Sequence, residues 1–493
     1  MATQDNIVDV SDIVEKQKLS GFLLGLVVIS WIITFFDGFD MISIGFIARP
    51  IMTQFKLTPI EMGNVFSIGL VGTLIGGFGL GWIADRVGRR PAVVWATFAF
   101  GVLTILLAFA NSYSHLLILR LIDGIAIGGM LPVAWALNIE YAPKRYRATI
   151  VTVIMIGYSF GAAAGGPVAN WLLPIYGWPA VFMFGGVLSI VASIALLFML
   201  PESARFLVVQ DQRKAKIASR VAELGLPLLA QFHRRRSEVI RYRLVRQVEA
   251  LKPDVVVDSQ TLFVVADEGT KTSDFKPSVL FRGELKWITP MLWVAYIFSS
   301  MTAFFLANWG PIVVMSLGFS REAANWSGTA NSIGGALGGL LLMRFTDNRG
   351  AIAITIMPLV AIPVLLWIGF GATASTMVLG LALFFYLSFI ATLFLIGGHF
   401  GLHSIAGIFY PSAYRGNGAG WATSVAKIGS IAGPWIGGYI LQSSLPRKEI
   451  FAVMAICPAV FVICIFVVGT IHSRIMRREH VSAGEAASDA STA

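Results

Sequence analysis

Asp37 and Asp40 stand three residues apart in the run FFDGFDMI, inside a segment from Leu19 to Ala48 that is nearly all Leu, Ile, Val, Phe, Trp and Gly. On a helix that spacing projects both carboxyls from roughly one face, with Gly38 leaving room beside them. A charge at the centre of a membrane helix costs about 2.5–3.5 kcal/mol on insertion scales, so two in one turn need a reason. A carboxyl in such a place can take a proton from one side and release it to the other when its surroundings change. Proton carriage is therefore the chemistry these residues suggest. The plainer alternative is an orientation lock, with one aspartate paired to a neighbouring helix.

Four more polar residues sit in apolar runs. Arg120 lies near one end of a run spanning roughly 116–139, in the same half of a bilayer as the aspartates if alternate spans run in opposite directions. An arginine within reach favours the ionised carboxylate, so making and breaking that contact would couple protonation to conformation. Arg120 also stands one helical turn from Asp123 and can pair with it; the two pairings are compatible. His399 and His403 share a helix face, and Lys427 follows in the next apolar run at similar depth. A carboxylate ligand in a dry site needs a cation or strong donors, which makes Lys427 the best partner for one. The histidines suit pH-dependent binding or plain packing, and no metal or cofactor is expected. Asn308 and Trp309 are candidate ring contacts, as are Trp135, Phe304, Phe385, Tyr386 and Trp421. Among 35 Phe and 13 Trp, packing is the default for each aromatic.

The elements that must position these residues are membrane helices. The chain has 493 residues, 56% hydrophobic and 13% charged, too few polar groups to coat a soluble protein of that length. Twelve apolar runs are long enough to cross about 30 Å of hydrocarbon, six before a polar stretch and six after it. The expected units are an N-terminal segment 1–18, a six-helix bundle 19–200, a middle loop 201–286, a second bundle 287–472 and a tail 473–493. The first segment lacks a cleavable signal pattern, so the first run is expected to remain a span. Cys457 and Cys464 share the last span and suggest neither a disulfide framework nor a zinc site. The net charge of +10 alternates by connection: Arg86, Arg89, Arg90, Arg145 and the middle-loop arginines share one side with both termini, which is therefore expected to be cytoplasmic. The apolar patch QTLFVVA in the middle loop either docks on that face or stays free, and the tail HVSAGEAASDASTA reads as unstructured.

The two halves repeat. GGMLPVAWALNIEYAPKRYRA from Gly128 matches GGHFGLHSIAGIFYPSAYRGN from Gly397, and TFFDGFD has a shadow in AFFLANW at the same offset of 269 residues. Asp37 and Asp40 correspond to Leu306 and Trp309, so the repeat alone does not require acids there. Paired bundles with a site between them suit alternating-access transport. No phosphate-binding loop is present, so uphill transport would draw on an ion gradient. The glycine runs in spans 2 and 8 read as helix-packing devices.

GWIADRVGRR after span 2, its echo LLMRFTDNRGAI after span 8, LRLIDGIAIGG and PESARFLV together resemble the major facilitator superfamily over nearly the whole chain. DGFD, YPSAYRGNGAGW and GSIAGPWIGG resemble its aromatic acid:proton symporters, the benzoate and 4-hydroxybenzoate permeases. The resemblance implies an all-α fold of two six-helix bundles in a bacterial inner membrane. It implies proton-coupled import of an aromatic carboxylate, with both aspartates important for transport. Arg is usual where Lys427 stands, and amides where the two histidines stand, which bears on specificity. The resemblance also implies an inner gate at Asp85, Arg86 and Arg89, echoed by Asp347 and Arg349, whose charge contacts break when the protein opens inward. A proton-antiport exporter of drugs or organic acids is the first alternative, and a membrane sensor of aromatic acids the second. An enzyme is not expected, because no nucleophile–base pair stands out.

Overall fold

The computed structural model describes residues 7–17, 20–224, 226–251, 261–265, 276–349, 351–371, 373–405, 409–410, 415–443 and 445–492. The side chains at 144, 148, 343–349, 351–353, 404–405, 415–416, 447–448 and 475–492 lie outside that description. A short strand β1 (Ile7–Asp9) and helix α1 (Val10–Lys16) precede the first bundle. That bundle comprises α2 (Gly21–Phe55), α3 (Pro59–Val87), α4 (Arg89–Leu107), α5 (Tyr113–Ile127), α6 (Met130–Tyr141), α7 (Arg147–Tyr176) and α8 (Pro179–Met199). The middle segment folds as α9 (Ala204–Glu223), α10 (Pro227–Leu251) and β2 (Leu262–Val264). The second bundle is α11 (Leu285–Ser316), α12 (Arg321–Arg349), α13 (Ala351–Phe370), a hairpin of β3 (Met377–Val378) and β4 (Leu381–Ala382), α14 (Leu383–Ile405), α15 (Arg415–Gln442) and α16 (Arg447–Thr492).

Each expected span contains helix among the described residues. Among the described residues, nine helices are long and apolar enough to cross a membrane, and Ile354–Phe370 is apolar but shorter. The fourth span is broken at Gly128–Gly129 into α5 and α6. The tenth starts later than its hydropathy suggests, because Leu379 and Gly380 turn the preceding residues back as a hairpin with positive φ at both positions. The tail, which reads as unstructured, continues α16 as helix, since Ala- and Glu-rich sequence extends a helix that is already nucleated. Local signals set many starts: Thr58 and Glu61 form a reciprocal capping box with Pro59 opening α3.

The internal repeat appears in the packing. In the first bundle α2 pairs with α7, α3 with α5, and α4 with α8; in the second the corresponding pairs are α11 with α15, α12 with α14, and α13 with α16. The glycine runs lie in the α3–α5 and α12–α14 contacts, as their small size predicts.

The bundles meet through α3 against α15, α7 against α12 and α2 against α11. Ser67 Oγ donates to the Ile431 carbonyl (2.8 Å), Thr329 Oγ1 to that of Ala163 (2.8 Å), and Asn325 Nδ2 to Asn170 Oδ1 (2.8 Å). Phe66 packs edge-on against Trp309, whose indole N–H donates to the Pro434 carbonyl at 2.8 Å. These contacts gather at the end of the bundles opposite the middle segment, termed the far face; the ends beside that segment are the loop face.

At the loop face the N-terminal and middle segments fold together onto the first bundle. β1 and β2 pair in parallel, from Ile7 with Leu262 to Asp9 with Val264. Gln17 donates to the Tyr141 carbonyl, and the Tyr141 hydroxyl donates to the Glu202 carbonyl. The described part of the apolar patch QTLFVVA, residues 261–265, is thus docked: Phe263 is buried, and its carbonyl accepts from Gln212 while that of Thr261 accepts from Arg241.

Candidate functional site

Asp40, Arg120 and Asp123 form one buried cluster inside the first bundle. Arg120 Nη1 donates to Asp40 Oδ2 at 2.9 Å and to Asp123 Oδ2 at 3.1 Å, and Thr104 Oγ1 reaches Asp123 Oδ1 at 3.3 Å. Arg120 is 2% exposed and Asp40 1%. Both pairings foreseen for Arg120 therefore occur at once, one along its own helix and one across to α2. The cluster fixes α2, α4 and α5 to one another. Burial makes such charges costly, and only mutual pairing and hydrogen bonding make them tolerable.

Asp37 has other partners, although it is on the same turn as Asp40. It is buried within electrostatic reach of Lys427 on α15, across the bundle interface, and of Tyr158 on α7. Gly38 makes this possible, since a Cβ there would collide with the Tyr158 carbonyl and push α7 away. Around Lys427 the second bundle gathers the predicted histidines. His399 Nδ1 lies 3.0 Å from Ser299 Oγ, the His399 and His403 rings meet edge-on at 4.8 Å, and His403 stands 5.0 Å from the Tyr296 ring and within electrostatic reach of Lys427. Asp37 precedes Gly45, which packs against the backbone of Ala307 and Asn308 on α11, by eight positions, and Lys427 precedes Pro434 by seven, about 12 and 10 Å along their helices. These groups therefore lie on the loop side of the seal.

The other predicted residues fall elsewhere. Trp309 is fully buried in the far-face seal, and the Asn308 amide donates to the Phe304 carbonyl of its own helix. Asp85 is exposed and forms no ion pair among the described residues, while Arg86 stacks over Trp82 at 3.6 Å. Arg89 binds Glu140 at 2.7 Å within the first bundle. The side chains of Asp347 and Arg349 lie outside the described residues. A crevice of about 180 Å³ between α11, α15 and α16, lined by residues such as Phe305, Ile436 and Cys457, is apolar and contains none of the charged groups above.

Glu140 and Glu202 were not singled out in the sequence. Glu202 caps α4 by accepting from the backbone N–H groups of Arg89 (2.8 Å) and Arg90 (3.2 Å), and Gly88 at φ 116° keeps clear of its carboxylate. Burial pushes the Glu202 carboxyl above the usual range, against the pull of those N–H groups and that of Ser203. The available signal was two acids at an otherwise basic face, inside IEYAPKR and PESARFLV. Tyr158, Ser299 and Tyr296 carried no such signal, being ordinary polar residues in apolar helices.

Comparison with known proteins agrees with this architecture. The chain is 28% identical over 471 residues to the 4-hydroxybenzoate transporter PcaK of Pseudomonas aeruginosa, covering 94% of this chain and 96% of that one. It is 29% identical over 482 residues to the gallate transporter of Pseudomonas putida, covering 97% and 98%. Among solved structures, a bacterial homolog of the human lysosomal transporter Spinster, inward-facing and unoccupied, matches with a TM-score of 0.60 at 16% identity, over 92% of this chain and 97% of that one. That match shows the shared fold. The profile of the Major Facilitator Superfamily matches residues 30–434, and the chain belongs to that family of membrane transporters.

Proposed function

We propose that the protein imports an aromatic carboxylate together with protons by alternating access, with the loop face and both termini in the cytoplasm of a bacterial inner membrane. The observation that carries the proposal is the opposition of Asp37 on the first bundle to Lys427 on the second, on the loop side of the far-face seal. Aromatic acids named for the relatives supply the substrate class. In this reading the conformation is the inward-open one, with Asp85 and Arg86 released from the inner gate.

The arrangement links the two ligands through charge. When ionised, Asp37 neutralises Lys427, and the empty site can close. Protonation of Asp37 leaves Lys427 to receive the substrate carboxylate, which neutralises it again. A proton alone, or substrate alone, leaves one buried charge unmatched, which opposes closure. Interconversion is thus favoured with both ligands bound or neither, the condition for symport. His399, held by Ser299, and His403 shape the wall beside the carboxylate. The Asp40–Arg120–Asp123 cluster holds α2 so that Asp37 faces the interface.

The substrate class is tested by competing uptake of labelled 4-hydroxybenzoate into proteoliposomes with benzoate, protocatechuate, gallate, a sugar and a dicarboxylate. Competition by the aromatic acids alone is expected; competition by the sugar or dicarboxylate, or no uptake above empty liposomes, contradicts the reading. Lys427→Met removes a charge-assisted bond of roughly 1.5–3 kcal/mol, so affinity should fall about ten- to a hundredfold. Lys427→Arg should retain most of it. Binding titrations that show no loss in Lys427→Met would remove this residue from the site.

A further inference from the structure

The tip of the α9–α10 hairpin carries an apolar cluster that neither the bundles nor the site above uses. Leu224 (74% exposed), Leu226, Leu228 (81% exposed), Leu229 and Phe232 all stand open there. The same two helices bury Leu207, Val208, Ala218, Leu244 and Val248, while Val209, Val239 and Tyr242 are also exposed farther from the tip. Neither helix is among those apolar enough to span a membrane. A cluster of large apolar side chains left open outside the spans marks an interaction surface.

The charge beside it selects the partner. Arg234, Arg235 and Arg236 follow within one turn of Phe232 and are exposed, and the Arg236 guanidinium lies 4.7 Å over the Phe232 ring. Arg243 and Arg246 continue the exposed basic face, against Glu238 and Glu249 as the only acids of α10. An apolar point backed by arginines is the pattern of an interfacial anchor for anionic lipid. The hairpin also starts at the bilayer: α9 follows span 6 after four residues and its 20 residues reach about 30 Å. We propose that the tip docks on the anionic surface of the bilayer the protein spans, with Leu226, Leu228 and Phe232 entering the interface and Arg234, Arg235 and Arg236 binding lipid phosphates.

The test uses the full chain in nanodiscs of phosphatidylcholine alone or mixed with phosphatidylglycerol. A polarity-sensitive fluorophore is placed at Leu228→Cys in a background with Cys457 and Cys464 changed to Ser. With phosphatidylglycerol the emission should shift to the blue and be quenched by brominated acyl chains, and high salt should reverse both. At about 1 kcal/mol per arginine, replacing Arg234, Arg235 and Arg236 with Gln should lower the docked-to-free ratio roughly a hundredfold. Hydrogen exchange over 224–236 in the unsubstituted protein gives a second readout, with slower exchange expected in the anionic discs. Equal exchange in both lipids, or a probe that stays in water in both, would overturn the proposal and leave the patch to a soluble partner.

Discussion

Arg120→Leu is expected to be the most damaging single substitution in the protein. It leaves Asp40 and Asp123 facing each other with no cation, both buried in the first bundle. Removing one member of a buried ion pair costs roughly 3–5 kcal/mol, because the partner charge stays behind without compensation. Purified variant should be scarce and unfold at lower temperature in detergent. Converting the whole cluster separates the causes: Asp40→Asn, Arg120→Leu and Asp123→Asn together remove every charge, and folded yield should return. If Arg120→Leu alone melts like the unsubstituted protein, the cluster does not hold the bundle together.

Asp37→Asn is expected to uncouple transport without unfolding. Asp37 takes no part in the Arg120 cluster, and Asn fits the same space beside Gly38. The substitution mimics the protonated state permanently, so the substituted site accepts substrate but has no proton to release. With one proton per substrate, an inward gradient of one pH unit supports about tenfold accumulation, since one unit is 1.36 kcal/mol. Asp37→Asn should hold the ratio near one while exchange of labelled for unlabelled substrate continues. Accumulation equal to that of the unsubstituted protein would move the proton site elsewhere. Loss of exchange as well would give Asp37 a part in binding or closure.

Much of this arrangement was legible in the sequence, for identifiable reasons. Hydropathy over about 20 residues marks a helix in lipid strongly, so the spans and the repeat were readable, and the helix pairings follow the repeat. Asp37, Asp40 and Arg120 stood out because ionisable groups are rare in such runs. Their division of labour did not. A three-residue spacing gives a shared face, but only the placement of α5 and α15 sends Asp40 to Arg120 and Asp37 towards Lys427. Trp309 illustrates the opposite limit. In a chain with 13 Trp its type carries no positional information, and its place in the far-face seal depends on Phe66 and Pro434 from distant helices. The docked N-terminal and middle segments were unreadable because contacts between distant residues tie them down, as in the pairing of β1 with β2 and the hydrogen bond from Gln17 to the Tyr141 carbonyl.

The most direct test of proton-coupled import is to record external pH when an aromatic carboxylate found to be transported is added to de-energised proteoliposomes, with empty liposomes as the control for passive entry of the free acid. Symport draws protons in with the substrate, so the medium should turn alkaline beyond the control, and Asp37→Asn should abolish the difference. Acidification of the medium would indicate exchange of substrate for protons and reverse the proposed direction of coupling. Substrate entry with no pH change beyond the control would contradict proton coupling altogether.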